Sequence, residues 1–130
     1  MKIPIKRQQP PIVIAEDNFV TARLLASSLQ AEGRSTVIAR DGDEAVALIN
    51  KFNPDLLLLN LNLSRPSGVE LLRTLQLHSS RLRVIALTTP GQADMKSVAT
   101  SLGVTGFFEV PFYPAELGKQ VRLVLGPQDR

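Results

Sequence analysis

Three polar residues stand where apolar runs stop. Glu16 and Asp17 follow Ile12–Ala15, and Asn60 follows Leu56–Leu59. An acidic pair at the end of one buried strand, beside a polar residue at the end of another, is the layout of a magnesium–carboxylate site. Magnesium takes oxygen ligands in an octahedron and keeps several waters. The plainer reading of Glu16-Asp17 is an acidic pair at a helix N-terminus, where the helix dipole favours negative charge.

Other chemistries are excluded by composition. The chain has 130 residues and no Cys, so disulfides and thiolate metal sites are ruled out. Its one His, His78, cannot build a zinc site or a catalytic dyad alone, and is expected near the solvated end of a helix. Net charge is +3, but the 15 Lys and Arg are dispersed, with one Tyr and no Trp, so no basic, aromatic nucleic-acid surface is expected. No run is long enough to span a membrane. Residues 1–11 carry Lys2, Lys6 and Arg7 without an apolar core and read as a flexible leader rather than a signal peptide. A cytoplasmic protein fits this composition.

The elements that must position the acidic pair and Asn60 follow from periodicity. Ile12–Ala15, Thr36–Ala39, Leu56–Leu59, Arg83–Thr88 and Gly106–Glu109 read as five short strands. Between them, apolar residues recur at helical spacing, as in Ala22, Leu25, Ala26 and Leu29, or Ala45, Leu48, Ile49 and Phe52. The first helix is expected to run to about Glu32 with Asn18 as its cap, and the second to start at a cap on Asp43 and close at Pro54. The third is expected to end near His78. Alternating strands and helices imply a parallel sheet covered on both faces. The expected fold is α/β, a flavodoxin-like (βα)5 three-layer sandwich with strand order 2-1-3-4-5. One domain covers 12–125, with a tail at 126–130. That order sets the first and third strands side by side, with Glu16, Asp17 and Asn60 at one edge, where ligands collect in such folds.

The pattern resembles a response-regulator receiver domain, the phosphoacceptor module of bacterial two-component phosphorelay signalling, from about Ile12 to Leu125. IVIAED matches the first strand and acidic pair, and PDLLLLNLNL with Gly68 matches the third strand and its acceptor position. VIALTT places Thr88 at the hydroxyl position; GVTGFFEVPF places Phe107 at the switch aromatic and Pro111 at the cis-proline. In the family, a carboxylate ending the third strand accepts a phosphoryl group. Magnesium bridges the acidic pair, that carboxylate and a backbone carbonyl, here that of Asn62. A lysine before the cis-proline and the hydroxyl hold the phosphoryl oxygens, and charge neutralisation does most of the work.

Two of those parts are missing. Asn60 holds the acceptor position and Val110 the lysine position. An uncharged amide with delocalised lone pairs is a poor nucleophile. Ser64 also stands where many relatives have proline, with Pro66 two residues later. The two losses look coupled: three carboxylates and one ammonium give the same nominal charge as two carboxylates and none. Losing the lysine alone would leave three carboxylates repelling one another.

The resemblance thus implies a degenerate pseudo-receiver, not an enzyme, acting as a phosphorylation-independent protein–protein interaction domain. The Asn60 amide is expected to donate to Asp17 or accept from Thr88. No cofactor is required, though weak Mg2+ binding by Glu16, Asp17 and Asn60 is compatible with the residues. The partner is expected to be a protein, or a second copy meeting through the fourth helix, fifth strand and fifth helix, with Lys96, Lys119 and Arg122 as exposed candidates. One alternative is an atypical receiver that still binds Mg2+ or accepts phosphate at another carboxylate, Asp17 first. Another is a small-ligand-binding flavodoxin-like domain, disfavoured because the loop after the first strand lacks phosphate-cradling glycines. The chain either acts alone as an adaptor or is a segment of a longer protein.

Overall fold

A computed structural model describes residues 9–77 and 80–127. The elements are β1 (Ile12–Ala15), α1 (Phe19–Gln30), β2 (Thr36–Ala39), α2 (Gly42–Phe52), β3 (Leu56–Asn60), α3 (Gly68–Leu75), β4 (Arg83–Thr88), α4 (Ala93–Ser101), β5 (Gly106–Glu109) and α5 (Pro114–Leu125). Among the described residues the strands form one parallel sheet in the order β2-β1-β3-β4-β5. This is the flavodoxin-like topology expected from the alternation. The expected leader (in part), the His78 position and the end of the tail lie outside the described residues.

Strand alternation divides the core in two. Val13, Ala15, Leu57, Leu59, Val84 and Ala86 face one layer with Leu71, Leu72 and Ala99. Ile12, Ile14, Leu56, Leu58, Ile85 and Leu87 face the other with Leu25, Leu29, Leu117 and Val121. Successive strand residues point to opposite faces, so a strand buried on both reads as an unbroken apolar run.

Several helix ends differ from expectation. Asp41, not Asp43, caps α2: its Oδ1 accepts from the Glu44 N–H at 2.8 Å. Asp43 instead lies in the first turn, favoured there by the dipole. Helix α2 ends on Asn53 in the left-handed conformation, before Pro54. Helix α1 stops at Gln30, and α3 at Leu75 with left-handed Gln76 after it. Asn18 caps α1 as expected, accepting from Thr21 N–H at 2.9 Å.

Two glycines let loops close on the site. A Cβ on Gly68 would fall 2.7 Å from Leu61 Cα and 2.8 Å from the Asn60 carbonyl oxygen, so α3 starts directly against the end of β3. A Cβ on Gly42 would fall 2.5 Å from the Pro66 ring. The Gly42 and Asp43 N–H groups donate to the Ser64 and Arg65 carbonyls, each at 2.8 Å, so the first turn of α2 pins the β3–α3 loop. At the opposite sheet edge, two arginines hold the end of α5. Arg34 donates to the Gly126 carbonyl at 3.2 Å and Arg83 to the Val124 carbonyl at 2.9 Å.

Candidate functional site

The register puts Ala15 beside Leu59, so the next residues, Glu16 and Asn60, meet at the carboxyl edge of the sheet. Glu16 is buried and Asp17 exposed. The Asn60 amide lies between them. Its Nδ2 donates to Glu16 Oε2 at 2.9 Å and to Asp17 Oδ1 at 3.4 Å. Its Oδ1 accepts from the Asn62 N–H at 2.9 Å. Glu16 Oε2 also accepts from the Asn18 N–H at 3.1 Å.

Every polar atom of the Asn60 side chain is therefore engaged inside the chain. The expected donation to Asp17 is present, but Glu16 is the closer carboxylate, and the amide oxygen accepts from the Asn62 N–H rather than from Thr88. The Asn62 contact identified is thus its N–H, a donor the sequence reading did not single out.

Burial pushes the Glu16 carboxyl above its ordinary value, with the adjacent Asp17 adding to the rise. The Asn18 N–H and the Asn60 amide oppose it by stabilising the charged form. The amide thus does part of what a cation would do between two carboxylates.

Thr88 is buried at the end of β4, and its carbonyl accepts from the Val110 N–H at 2.8 Å. Val110 packs against the core on the α1–α5 side and presents no polar side-chain group. The Val110–Pro111 peptide bond is cis, as is Arg65–Pro66. Phe107 is half-buried in the opposite layer, with the Lys96 ammonium 5.7 Å from its ring centroid.

As arranged, the Asn60 amide nitrogen rather than its oxygen faces Glu16 and Asp17. For Asn60 to serve as an Mg2+ ligand there, its oxygen would turn inward and give up both amide donations and the bond from the Asn62 N–H. Among the described residues, no group of three His, Cys, Asp or Glu side chains gathers as a metal site.

Of the surface cations expected on α4 and α5, Lys119 is exposed and Lys96 sits over Phe107. Arg122 is not on that face: it pairs with Glu32 in the seam between α1 and α5. Arg122 sits one turn beyond Gly118, where a Cβ would collide with the Glu32 carboxylate. Large apolar residues are left exposed that sequence reasoning did not single out as such: Phe19, Val20 and Leu24 on α1, Val98 on α4, Tyr113 just before α5 and Leu123 on α5. Their mixing with buried residues at helical spacing hid them.

The sheet order and the acidic switch point define a flavodoxin-like α/β protein with its polar site at the β1/β3 edge. The family model for the response regulator receiver domain matches residues 12–122, and the chain belongs to that family. It is 31% identical over 114 residues to sporulation initiation phosphotransferase F of Bacillus subtilis, covering 88% of this chain and 92% of that protein. It is 33% identical over 118 residues to the phosphate regulon transcriptional regulatory protein PhoB of Rhizobium meliloti, covering 89% of this chain and 52% of that one. The chain thus spans about half the length of the transcriptional regulators it matches. The crystal structure of chemotaxis protein CheY4 of Vibrio cholerae superposes with a TM-score of 0.82 at 25% identity, covering 91% of this chain and all of that one. Receiver domains are signalling modules rather than typical enzymes, and they engage partner proteins such as histidine kinases. No helix among the described residues is long and apolar enough to cross a membrane.

Proposed function

We propose that this chain is a pseudo-receiver, a member of the family that binds protein partners without phosphorylation. The observation that carries this reading is the Asn60 amide bridging Glu16 and Asp17. The acceptor position holds a group that neither attacks phosphorus nor needs a cation beside it. Val110 supports the same reading, since an apolar side chain offers nothing to an incoming phosphoryl oxygen. Magnesium is not required, because the amide already supplies donors to both carboxylates. The exposed apolar residues on α1, α4 and α5 support a role in binding proteins, since such residues cluster at interaction surfaces.

The test is intact mass after incubation with magnesium and a small acyl-phosphate donor, beside the double variant Asn60→Asp, Val110→Lys. The native protein is expected to gain no phosphoryl group while the double variant gains one. Phosphate on the native protein would overturn the proposal and direct mapping to Asp17.

A further inference from the structure

Helix α1 is uncharged on the side it turns to solvent. Ala22, Leu25, Ala26 and Leu29 face the core. On the opposite side Val20, Leu24, Ser27 and Ala31 recur at spacings of four, three and four, so they lie within roughly 60° of one another around the helix. All four are exposed, Val20 at 65% and Leu24 at 53%. Ala31 keeps right-handed helical dihedrals at the C-cap, so it continues the stripe. The 12 residues of α1 hold one charge, Arg23, whose guanidinium lies over the Phe19 ring at 5.9 Å, to one side of the stripe. Each of the other four helices carries both acidic and basic residues. A surface helix ordinarily turns its charges to water, and one that is apolar all round is covered all round.

The stripe is also graded in size. Val20 and Leu24 are bulky and stand towards the amino end; Ser27 and Ala31 are small and stand towards the carboxyl end. Turning a second α1 end for end about a two-fold axis sets Val20 of one copy against Ala31 of the other, and Leu24 against Ser27, twice over. Large meets small at each level, which lets the helix axes approach to about 8–10 Å. A parallel pairing would set Val20 on Val20 and leave Ser27 facing Ser27 across a gap, with the packing lost there. Charge points the same way. Two copies of a chain of net charge +3 repel in general, but the stripe itself holds no charge. Arg23 falls on the flank, level with Ser27 and Gln30 of the other copy rather than with its Arg23. A strongly charged partner would find no ion-pair partner on the stripe.

We propose that this face is a contact between two copies of the chain, an antiparallel α1–α1 pair centred between Leu24 and Ser27. A single helix pair lies at the small end of interface sizes, below about 1,200 Å2 in total, so the dimer is weak and reversible, with Kd of about 10–500 μM. The pairing uses α1 alone and holds whether or not the site at Asn60 accepts phosphate.

The test is sedimentation velocity on the full chain at protein concentrations spanning that Kd range, with circular dichroism to confirm that each variant is folded. The native chain is expected to shift from monomer to dimer as concentration rises. Leu24→Glu should weaken the dimer by about tenfold or more, because it would place an unpaired carboxylate at the centre of the contact. Ser27→Lys should do the same with an unpaired ammonium. Mixed together, the Leu24→Glu and Ser27→Lys chains should form a heterodimer, since the antiparallel register sets position 24 of one against position 27 of the other. Leu123→Glu, on α5, should leave the dimer intact. A native chain that stays monomeric throughout would overturn the proposal and leave the stripe to a different protein. A dimer unmoved by Leu24→Glu, a dimer lost with Leu123→Glu, or folded charge variants that fail to pair in the mixture would each overturn it too.

Discussion

Replacing Asn60 by Asp would put a third carboxylate where a donor now sits, and the cost can be worked from the geometry. The change removes the amide donor to Glu16 at 2.9 Å, a bond to a charged group worth about 1.5–3 kcal/mol. The weaker contact to exposed Asp17, at 3.4 Å, adds little. Like charges at the 2.9 Å separation repel by about 1.4 kcal/mol at the dielectric of water and about 5.7 kcal/mol at an effective dielectric of 20. Proton uptake by one of the three carboxyls limits this repulsion. The net loss is about 2–4 kcal/mol, or about 8–16 °C in Tm at roughly 4 °C per kcal/mol for a domain of this size. Thermal unfolding followed by circular dichroism at neutral pH, with a chelator or with millimolar magnesium, measures it. Magnesium should restore much of the Asn60→Asp loss and leave the native Tm unchanged. The reasoning fails if Asn60→Asp is as stable as the native chain without divalent cations, or if magnesium raises the native Tm equally.

Three further outcomes follow from the same geometry. Adding Val110→Lys to Asn60→Asp should recover about 1–2 kcal/mol of the loss in chelator, from a cation beside three carboxylates; equal Tm values for the two variants would show that the two departures are not coupled. Because the folded Glu16 carboxyl is raised above 4.5, its contribution to stability is fullest below that value and is lost as pH rises through the raised one. Glu16→Gln should therefore gain on the native chain from acid to neutral pH in denaturant unfolding, and a constant difference would refute the shift. Gly42→Ala forces a Cβ against the Pro66 ring and backbone, and should cost about 1–3 kcal/mol despite the better helix propensity of alanine; a neutral or stabilising result would mean that the loop yields freely.

The sheet was legible because its strands are buried on both faces. Leu56–Leu59 cannot alternate, so an apolar run bounded by Pro54 and Asn60 marks both the strand and its end. The meeting of Glu16, Asp17 and Asn60 followed from strand order alone. Which carboxylate the amide would meet did not, since the answer depends on Glu16 turning inward and Asp17 outward beyond the last paired residues. Helix starts were less legible. Asp41 and Asp43 are equally good caps by residue type, and the choice is made by the β3–α3 loop, whose carbonyls take the Gly42 and Asp43 N–H groups. Arg122 read as a free surface cation because its partner, Glu32, lies 90 residues away in the chain.

The paired arginines at the end of α5 bear on mechanics. Tension on the carboxyl side of Gly126 would not act on a helix free to peel. Arg34, just ahead of β2, and Arg83, the first residue of β4, would pass the load from the last carbonyls of α5 into the sheet at two points. Pulled from that end, the domain should yield in one cooperative rupture rather than by early loss of α5. Replacing both arginines by methionine should turn that single event into two, visible as a separate low-force step in optical-trap extension curves.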